Sequence, residues 1–548
     1  MNPPFKNPPF RCALLLLAVV LSSPATAFAA FGLTISTDYY TVDTGAGLAF
    51  KVRRTDNGVS TQSPGDIMSL VYNGVEYQNQ SRGSQINSGF DWLYNGVSSV
   101  SVSASVIDGN YVKVTVQAGS LTHYYLARNG HPNIYMATYF TAEPDVHGQV
   151  RYVVRIPSRL LPNGPRPSDI RNNTGAIESS DVFGMSDRTT RSKHYSNQRI
   201  IDYSYTGATG NGVGVFMIRS NHEGGSGGPF YRSLINQCGD DQELYEIVNY
   251  GEAQTEAFRT NVLNGPYILA FTNGGNPPAI DTSWLSNMGL TGYVPASGRG
   301  YVNGKANGIP SGFQGVVGFA NSTAQYWSTV VNSNFYSPAM IPGTYTQTLY
   351  KGELAVASQT VTVTAGITTT KSITSTETTP AYLWRVGEWD GTPAGFLNAD
   401  KITTMHPSDA RMSSWGLVTF TVGNSATSAF PAYQWKGVNN PTTIRFNLAS
   451  NQIANRTVRV GLTVAYSGAR PILTVNNWSS SIPAISTQPT TRTLTVGTYR
   501  GNNTTYTFNV PASAFVTGTN TMTISVASGS GSTGFLSAGY AYDAVDIY

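Results

Sequence analysis

From residue 30 onward the chain repeats one pattern. Short runs of β-branched or aromatic residues alternate with polar residues and are cut by Gly, Asn, Asp and Pro. Val100, Val102, Ala104 and Val106 alternate with serines, Asp108-Gly109-Asn110 follows, and Val112, Val114 and Val116 alternate again. A period of two on both sides of a Gly/Asn/Asp turn predicts a β-hairpin with one buried face. Val150-Arg151-Tyr152-Val153-Val154-Arg155, Val213 to Met217 and Tyr267 to Phe271 are further strand candidates. No long stretch has the helical period, and no heptad or solenoid repeat is present. The chain reads as all-β.

Turn signals and length divide it into three units. Residues 30–290 suit one large β-sandwich. Residues 291–375 carry Gln314 to Phe319, Pro342 to Tyr345 and Gln359 to Val363, the spacing of a small seven-strand sandwich. Residues 376–548, with Thr457 to Val464 among their strand runs, suit a jelly roll. Thr368 to Pro380 is Thr/Ser-rich and reads as either a linker or a boundary strand.

Residues 1–29 read as an export signal. Lys6 and Arg11 precede an apolar run from Ala13 to Leu21, and Ala27-Phe28-Ala29 matches a small-x-small cleavage site. The run is too short to span a bilayer and no longer one follows, so a secreted, extracellular chain without a membrane anchor is expected. Cys12 leaves with the signal, and Cys238 becomes a single thiol with no internal partner. The domains must then be held by packed cores. A net charge of +4, with Lys6 and Arg11 in the signal and no basic tail or helix, gives nucleic acid no footprint. The chain is expected to act as a monomer.

Several segments could carry chemistry. Gly225-Ser226-Gly227-Gly228-Pro229 resembles a serine-protease nucleophile loop, but none of the upstream histidines has a supporting motif; a glycine-rich turn is the simpler reading. Asp240, Asp241 and Glu243 cluster in an expected loop, which is either solvated or holds a structural calcium ion. Glu252 and Glu256 could form the paired carboxylates of a glycoside hydrolase. The more informative window is Asp187 to Tyr195, which concentrates Arg188, Arg191 and Lys193 in a chain with only 12% charged residues. Arg151 and Arg155, four apart on one strand, share a face. They form either a polar outer face or a cationic groove whose guanidinium forks match uronate carboxylates. Such a groove suits β-elimination, in which a neutralised carboxylate stabilises the developing charge and a lysine takes the α-proton.

Thr190-Arg191-Ser192-Lys193, Ser226-Gly227-Gly228-Pro229-Phe230, Gln254-Thr255-Glu256-Ala257-Phe258-Arg259, Ser297-Gly298-Arg299-Gly300, Gly387-Glu388-Trp389-Asp390-Gly391 and His406 to Gly416 occur in this order. In these segments the chain resembles the rhamnogalacturonan lyases of polysaccharide lyase family 4 over essentially its whole mature length. The resemblance implies a mutarotase-like sandwich, a fibronectin-III-like domain and a carbohydrate-binding jelly roll. It also implies cleavage of the α-1,4 bond between rhamnose and galacturonate in rhamnogalacturonan I, with no cofactor required. Lys193 falls on the family's catalytic lysine and Arg151 on a carboxylate-binding arginine, with Arg155 beside it. Tyr245 falls on an active-site tyrosine, and Arg500 reaches the groove from the third domain. One position departs: Glu252 stands where fungal-type enzymes have a histidine. Glu252 could donate a proton, or pair with Lys193 and keep it charged; His194 or His222 could substitute. The alternative reading is therefore a non-catalytic pectin-binding homologue.

Overall fold

The computed structural model describes residues 30–95, 99–529 and 531–548; residues 1–29, where an export signal is expected, and the Glu252 side chain lie outside the described residues. The described chain is all-β, with strands interrupted only by short 3₁₀ turns.

The hairpin forms where alternation placed it. Val100–Ile107 pairs antiparallel with Tyr111–Ala118, and Asp108 and Gly109 take positive φ of 49° and 65° in the turn. Gly adopts that region freely and Asp tolerates it. Val112, Val114 and Val116 are buried, whereas Val106 on the outermost strand stays half exposed. The hairpin ends a seven-stranded sheet that continues through Leu121–Arg128, Asn133–Phe140, Leu263–Thr272, Val213–Arg219 and Tyr205–Gly210. Its inner face packs on a five-stranded sheet begun by Gly32–Ile35 and on a four-stranded sheet. Val114, Tyr125, Met136 and Leu269 meet Phe50, Leu70, Val154 and Leu244 in one core. Trp284, Leu285 and Met288 cover the other face of the seven-stranded sheet.

The four-stranded sheet has the order Asn236–Cys238, Asp241–Asn249, Val150–Pro157, Gln85–Ile86. One face of its central pair feeds the core through Tyr152, Val154 and Leu244. The opposite face carries Arg151, Val153 and Arg155, with Val153 in a small separate cluster with Leu234, Tyr245 and Ile247. The cationic strand face is therefore turned away from the sandwich core.

The second unit is a sandwich around Val317, Phe319, Phe335, Tyr345 and Leu349. Within the Thr-rich stretch, Thr368–Thr370 and Ile373–Thr374 pair in parallel with Tyr301–Asn307, which makes it a boundary strand. The third unit faces two five-stranded sheets, one built on Gly539–Ile547 and Arg456–Tyr466, the other on Thr442–Leu448 and Gly518–Ala527. Trp435, Phe446, Val460 and Tyr542 fill the space between them.

Candidate active site

Lys193 is placed by a small three-stranded sheet. Gly175–Glu178, Val182–Gly184 and Thr190–Ser192 pair antiparallel, and Val182 lies opposite Ser192. The next pair outward is Asp181 and Lys193. Lys193 Nζ accordingly lies 2.9 Å from Asp181 Oδ1. Burial alone pushes the Asp181 carboxyl up, but the hydrogen bond and charge of Lys193, with His194 and Arg492, bring it below the usual carboxylate value. Lys193–Ser196 forms a 3₁₀ turn whose His194 N–H donates to Ser192 Oγ. Ser196 Oγ donates to the Asn236 carbonyl, docking this turn on the edge of the four-stranded sheet.

The third unit grips the same segment. The Thr190 N–H and hydroxyl both donate to Asp409 Oδ2, at 2.6 and 2.7 Å. The Tyr195 hydroxyl donates to the Thr495 carbonyl at 2.9 Å. Gly497, at φ 70°, fits so closely that a Cβ there would sit 2.9 Å from both His194 O and Asn197 Nδ2.

Arg151 and Arg155 share a face but not an environment. Register places Glu243 opposite Arg155 and Tyr245 opposite Val153. The Arg155 side chain is 2% exposed, with Nε 3.4 Å from Glu243 Oε1 and Nη1 donating to the Gly83 carbonyl. Glu243 also accepts from the Tyr245 hydroxyl. Burial and the Glu243 charge hold the Tyr245 phenol well above its ordinary pKa, so it stays protonated. Arg151 lies over that ring, its guanidinium carbon 4.8 Å from the centroid. Its Nη1 is buried and makes no hydrogen bond with a described residue. A buried guanidinium donor without an acceptor is costly unless a ligand supplies one.

Between the first and third units lies a cavity of about 380 Å³, lined in part by Gln149, His194, Arg232, Tyr250, Arg492 and Arg500. Gln149 belongs to the approach to the Arg151 strand, and His194 to the Lys193 turn. Arg500 is held by Nη1 donating to the Glu353 carbonyl at 3.0 Å, over the Phe230 ring, and its Nε is unpartnered. Arg232 donates to Asn197 Oδ1. The cavity is thus walled by three guanidinium groups, a surface fitted to an anionic ligand.

The remaining candidates fall elsewhere. His194 is neutral: burial, then the Lys193 charge, drags its pKa down to about 3. His222 stacks on Trp327 between the first and second units, also held neutral by burial. Glu256 accepts from Arg259 and from the Gly227 N–H, at 2.7 and 3.0 Å, and is spent on a turn. Ser226 Oγ donates to the Ala257 carbonyl, and Gly227 and Gly228 take positive φ of 94° and 71°; the segment is a glycine turn. Asp241 and Glu243 lie on a strand rather than in the expected loop, and Asp241 accepts from Asn79 Nδ2 at 2.7 Å. Among the described residues no group of three His, Cys, Asp or Glu side chains could hold a metal ion. The Cys238 thiol is buried and free. Asp181, Glu178 and Arg492 were not legible as site residues, because nothing in the sequence marks a pairing across a turn or across some 300 positions.

Comparison with known proteins agrees with this layout. Residues 31–292 match the N-terminal domain of rhamnogalacturonan lyase B, 298–371 domain II and 382–547 domain III of polysaccharide lyase family 4. A probable rhamnogalacturonate lyase A of Aspergillus terreus is 46% identical over 94% of each chain. Rhamnogalacturonate lyase A of Emericella nidulans is 44% identical, and that of Aspergillus aculeatus 43%, each over 97% of this chain and 99% of the relative. The matched domains and these relatives make the chain a polysaccharide lyase. The chain belongs to polysaccharide lyase family 4.

Proposed function

We propose that this chain is a secreted rhamnogalacturonan endolyase that cleaves the α-1,4 bond between rhamnose and galacturonate in rhamnogalacturonan I by β-elimination. The relatives' names supply the polymer. The observation that carries the chemistry is the unpartnered, buried Arg151 Nη1 on a strand whose approach lines a cavity walled by Arg232, Arg492 and Arg500.

In this reading Arg151 takes the galacturonate carboxylate, held flat by the Tyr245 ring, and withdraws charge from C5. Lys193 Nζ removes the C5 proton. The electron pair forms the C4=C5 double bond as the C4–O bond breaks. The leaving oxygen takes a proton from an acid for which Glu252, directly after Gly251, is the candidate; Tyr245 already donates to Glu243. Arg155, enclosed with Glu243, supports the Arg151 face, and Arg500 contacts a neighbouring sugar of the bound chain. No cofactor enters the reaction.

The test is ultraviolet absorbance of the unsaturated uronate on rhamnogalacturonan I beside homogalacturonan. Lys193→Ala is expected to lower kcat by at least about 100-fold, the scale of a positioned general base, with its melting temperature retained. Full activity in that variant would sink the base assignment. Glu252, standing where fungal-type enzymes have a histidine, supports the pectin-binding reading, and the Lys193–Asp181 ion pair adds to it; polymer binding without any unsaturated product would favour it.

A further inference from the structure

Asp181 serves two cations. Its Oδ1 lies 2.9 Å from Lys193 Nζ, and its Oδ2 lies 3.2 Å from Arg492 Nη2. Arg492 comes from the third unit, and it is itself anchored. Its Nη1 lies 2.8 Å from Glu178 Oε1, an ion-pair contact without hydrogen-bond geometry. Thr495 Oγ1 donates to the same oxygen at 3.0 Å, and His406 Nε2 lies 3.0 Å from Glu178 Oε2. The Glu178 and His406 side chains are only 3% and 7% exposed, so this anchor is fixed inside the joint between the units.

A carboxylate about 3 Å from an ammonium stabilises the charged form, which a general base must abandon. A second cation on the same carboxylate takes up part of that field, and its own charge opposes the ammonium further. Of the charged and titratable groups near Lys193, Asp181 and Glu178 come from its own small sheet, His194 from its own turn, Arg166 from a 3₁₀ turn packed against that turn, and Arg492 and His406 from the third unit. His194 is neutral, so Arg492 is the cation that faces Lys193 across Asp181.

We propose that Arg492 is a positioning residue for the elimination: by sharing Asp181 it offsets the carboxylate that would otherwise keep Lys193 protonated. The inference rests on Lys193 being the base. It makes the third unit part of the catalytic apparatus, in addition to any sugar it binds, because Asp181 is shared with a second cation only when that unit is docked.

The experiment is the pH dependence of kcat/KM for the full-length enzyme, read by unsaturated-uronate absorbance. Activity rises with pH as the base loses its proton, giving an acid limb. Arg492→Gln is expected to move that limb upward by about one pH unit, a tenfold loss on the acid side that is recovered at high pH. Asp181→Asn is expected to move it downward, the double variant to lie near the parent, and Arg492→Lys to keep most of the effect. A loss in Arg492→Gln that is equal at every pH would mark a structural role and overturn the proposal. A raised KM with the limb unmoved would make Arg492 a substrate contact and overturn it equally. If Arg492→Gln does not fold, the limbs of Asp181→Asn and Arg492→Lys decide alone: a limb unmoved in Asp181→Asn overturns the proposal. Lys193→Ala run in parallel separates the two readings. Full activity there removes the lysine base itself, whereas an inactive Lys193→Ala with unmoved limbs elsewhere removes only the role of Arg492.

Discussion

Arg155 shows what burial does to a charge that a strand pattern offers to solvent. Its guanidinium is enclosed between Glu243 and the Gly83 carbonyl, with Arg151 and Arg82 adding like charge. Desolvation alone disfavours the ion; the Glu243 carboxylate answers it. Arg155→Leu leaves the Glu243 carboxylate without its buried cation and the Gly83 carbonyl without a donor. The expected cost is about 3–5 kcal/mol, the range for breaking one side of a buried pair, measured by urea unfolding. Arg155→Leu combined with Glu243→Leu is expected to cost less than Arg155→Leu alone, since no orphan charge remains. Arg151 differs by position rather than kind: four residues earlier on the same face it keeps a free donor over the Tyr245 ring.

At the scale of elements, the local pattern was enough wherever pairing was local. The Val100–Ile107 hairpin could be read from alternation and the Asp108-Gly109-Asn110 turn, because strand and turn are neighbours in sequence. The Val150–Pro157 strand and its two arginines were readable from the run itself, although its partners Asp241–Asn249 and Gln85–Ile86 lie far off in sequence. The Thr-rich stretch was ambiguous because its partner, Tyr301–Asn307, lies about 65 residues away and pairs in parallel. Asp240 to Glu243 looked like a loop because carboxylates are poor strand formers; the cross-strand pairing of Glu243 with Arg155 and the hydrogen bond from Asn79 to Asp241 override that preference from Asp241 onward. Lys193 and Arg151 were singled out by resemblance, whereas Asp181 and Arg492 are joined to Lys193 only by the fold.

One strand carries a pH dependence of its own. Asp543, on Gly539–Ile547, is buried and accepts the N–H groups of Asp390 and Gly391. Burial first, then the neighbouring Asp390 charge, raises its pKa from 3.8 to about 8. The folded state therefore binds a proton that the unfolded state releases. Its stabilising contribution is complete below pH 3.8 and is lost as pH rises toward about 8. Thermal unfolding between pH 5 and pH 8, an interval of about three units inside that window, is expected to show this loss in the parent. Asp543→Asn is expected to flatten the slope.

The three sandwiches meet at one carboxylate. Glu353 of the second unit has a side chain only 2% exposed, and its Oε1 accepts from Arg199 of the first unit at 3.2 Å and from the Tyr499 hydroxyl of the third at 3.0 Å. Its own carbonyl accepts from Arg500. Glu353→Ala removes charge-assisted bonds to both neighbours at once. The expected cost is about 2–3 kcal/mol, seen as a lower Tm, while the Arg500 bond to the main-chain carbonyl of residue 353 is kept.

That junction also bears on how such a chain can change over generations. A middle module borrowed from another protein would arrive without the carboxylate, stranding Arg199 on one side and Tyr499 on the other. A borrowed third module would bring no tyrosine to meet Glu353 and no arginine to share Asp181. Exchange of single modules therefore strands charged groups at both joints. The three travel as one heritable block, consistent with relatives that align with this chain from end to end rather than module by module.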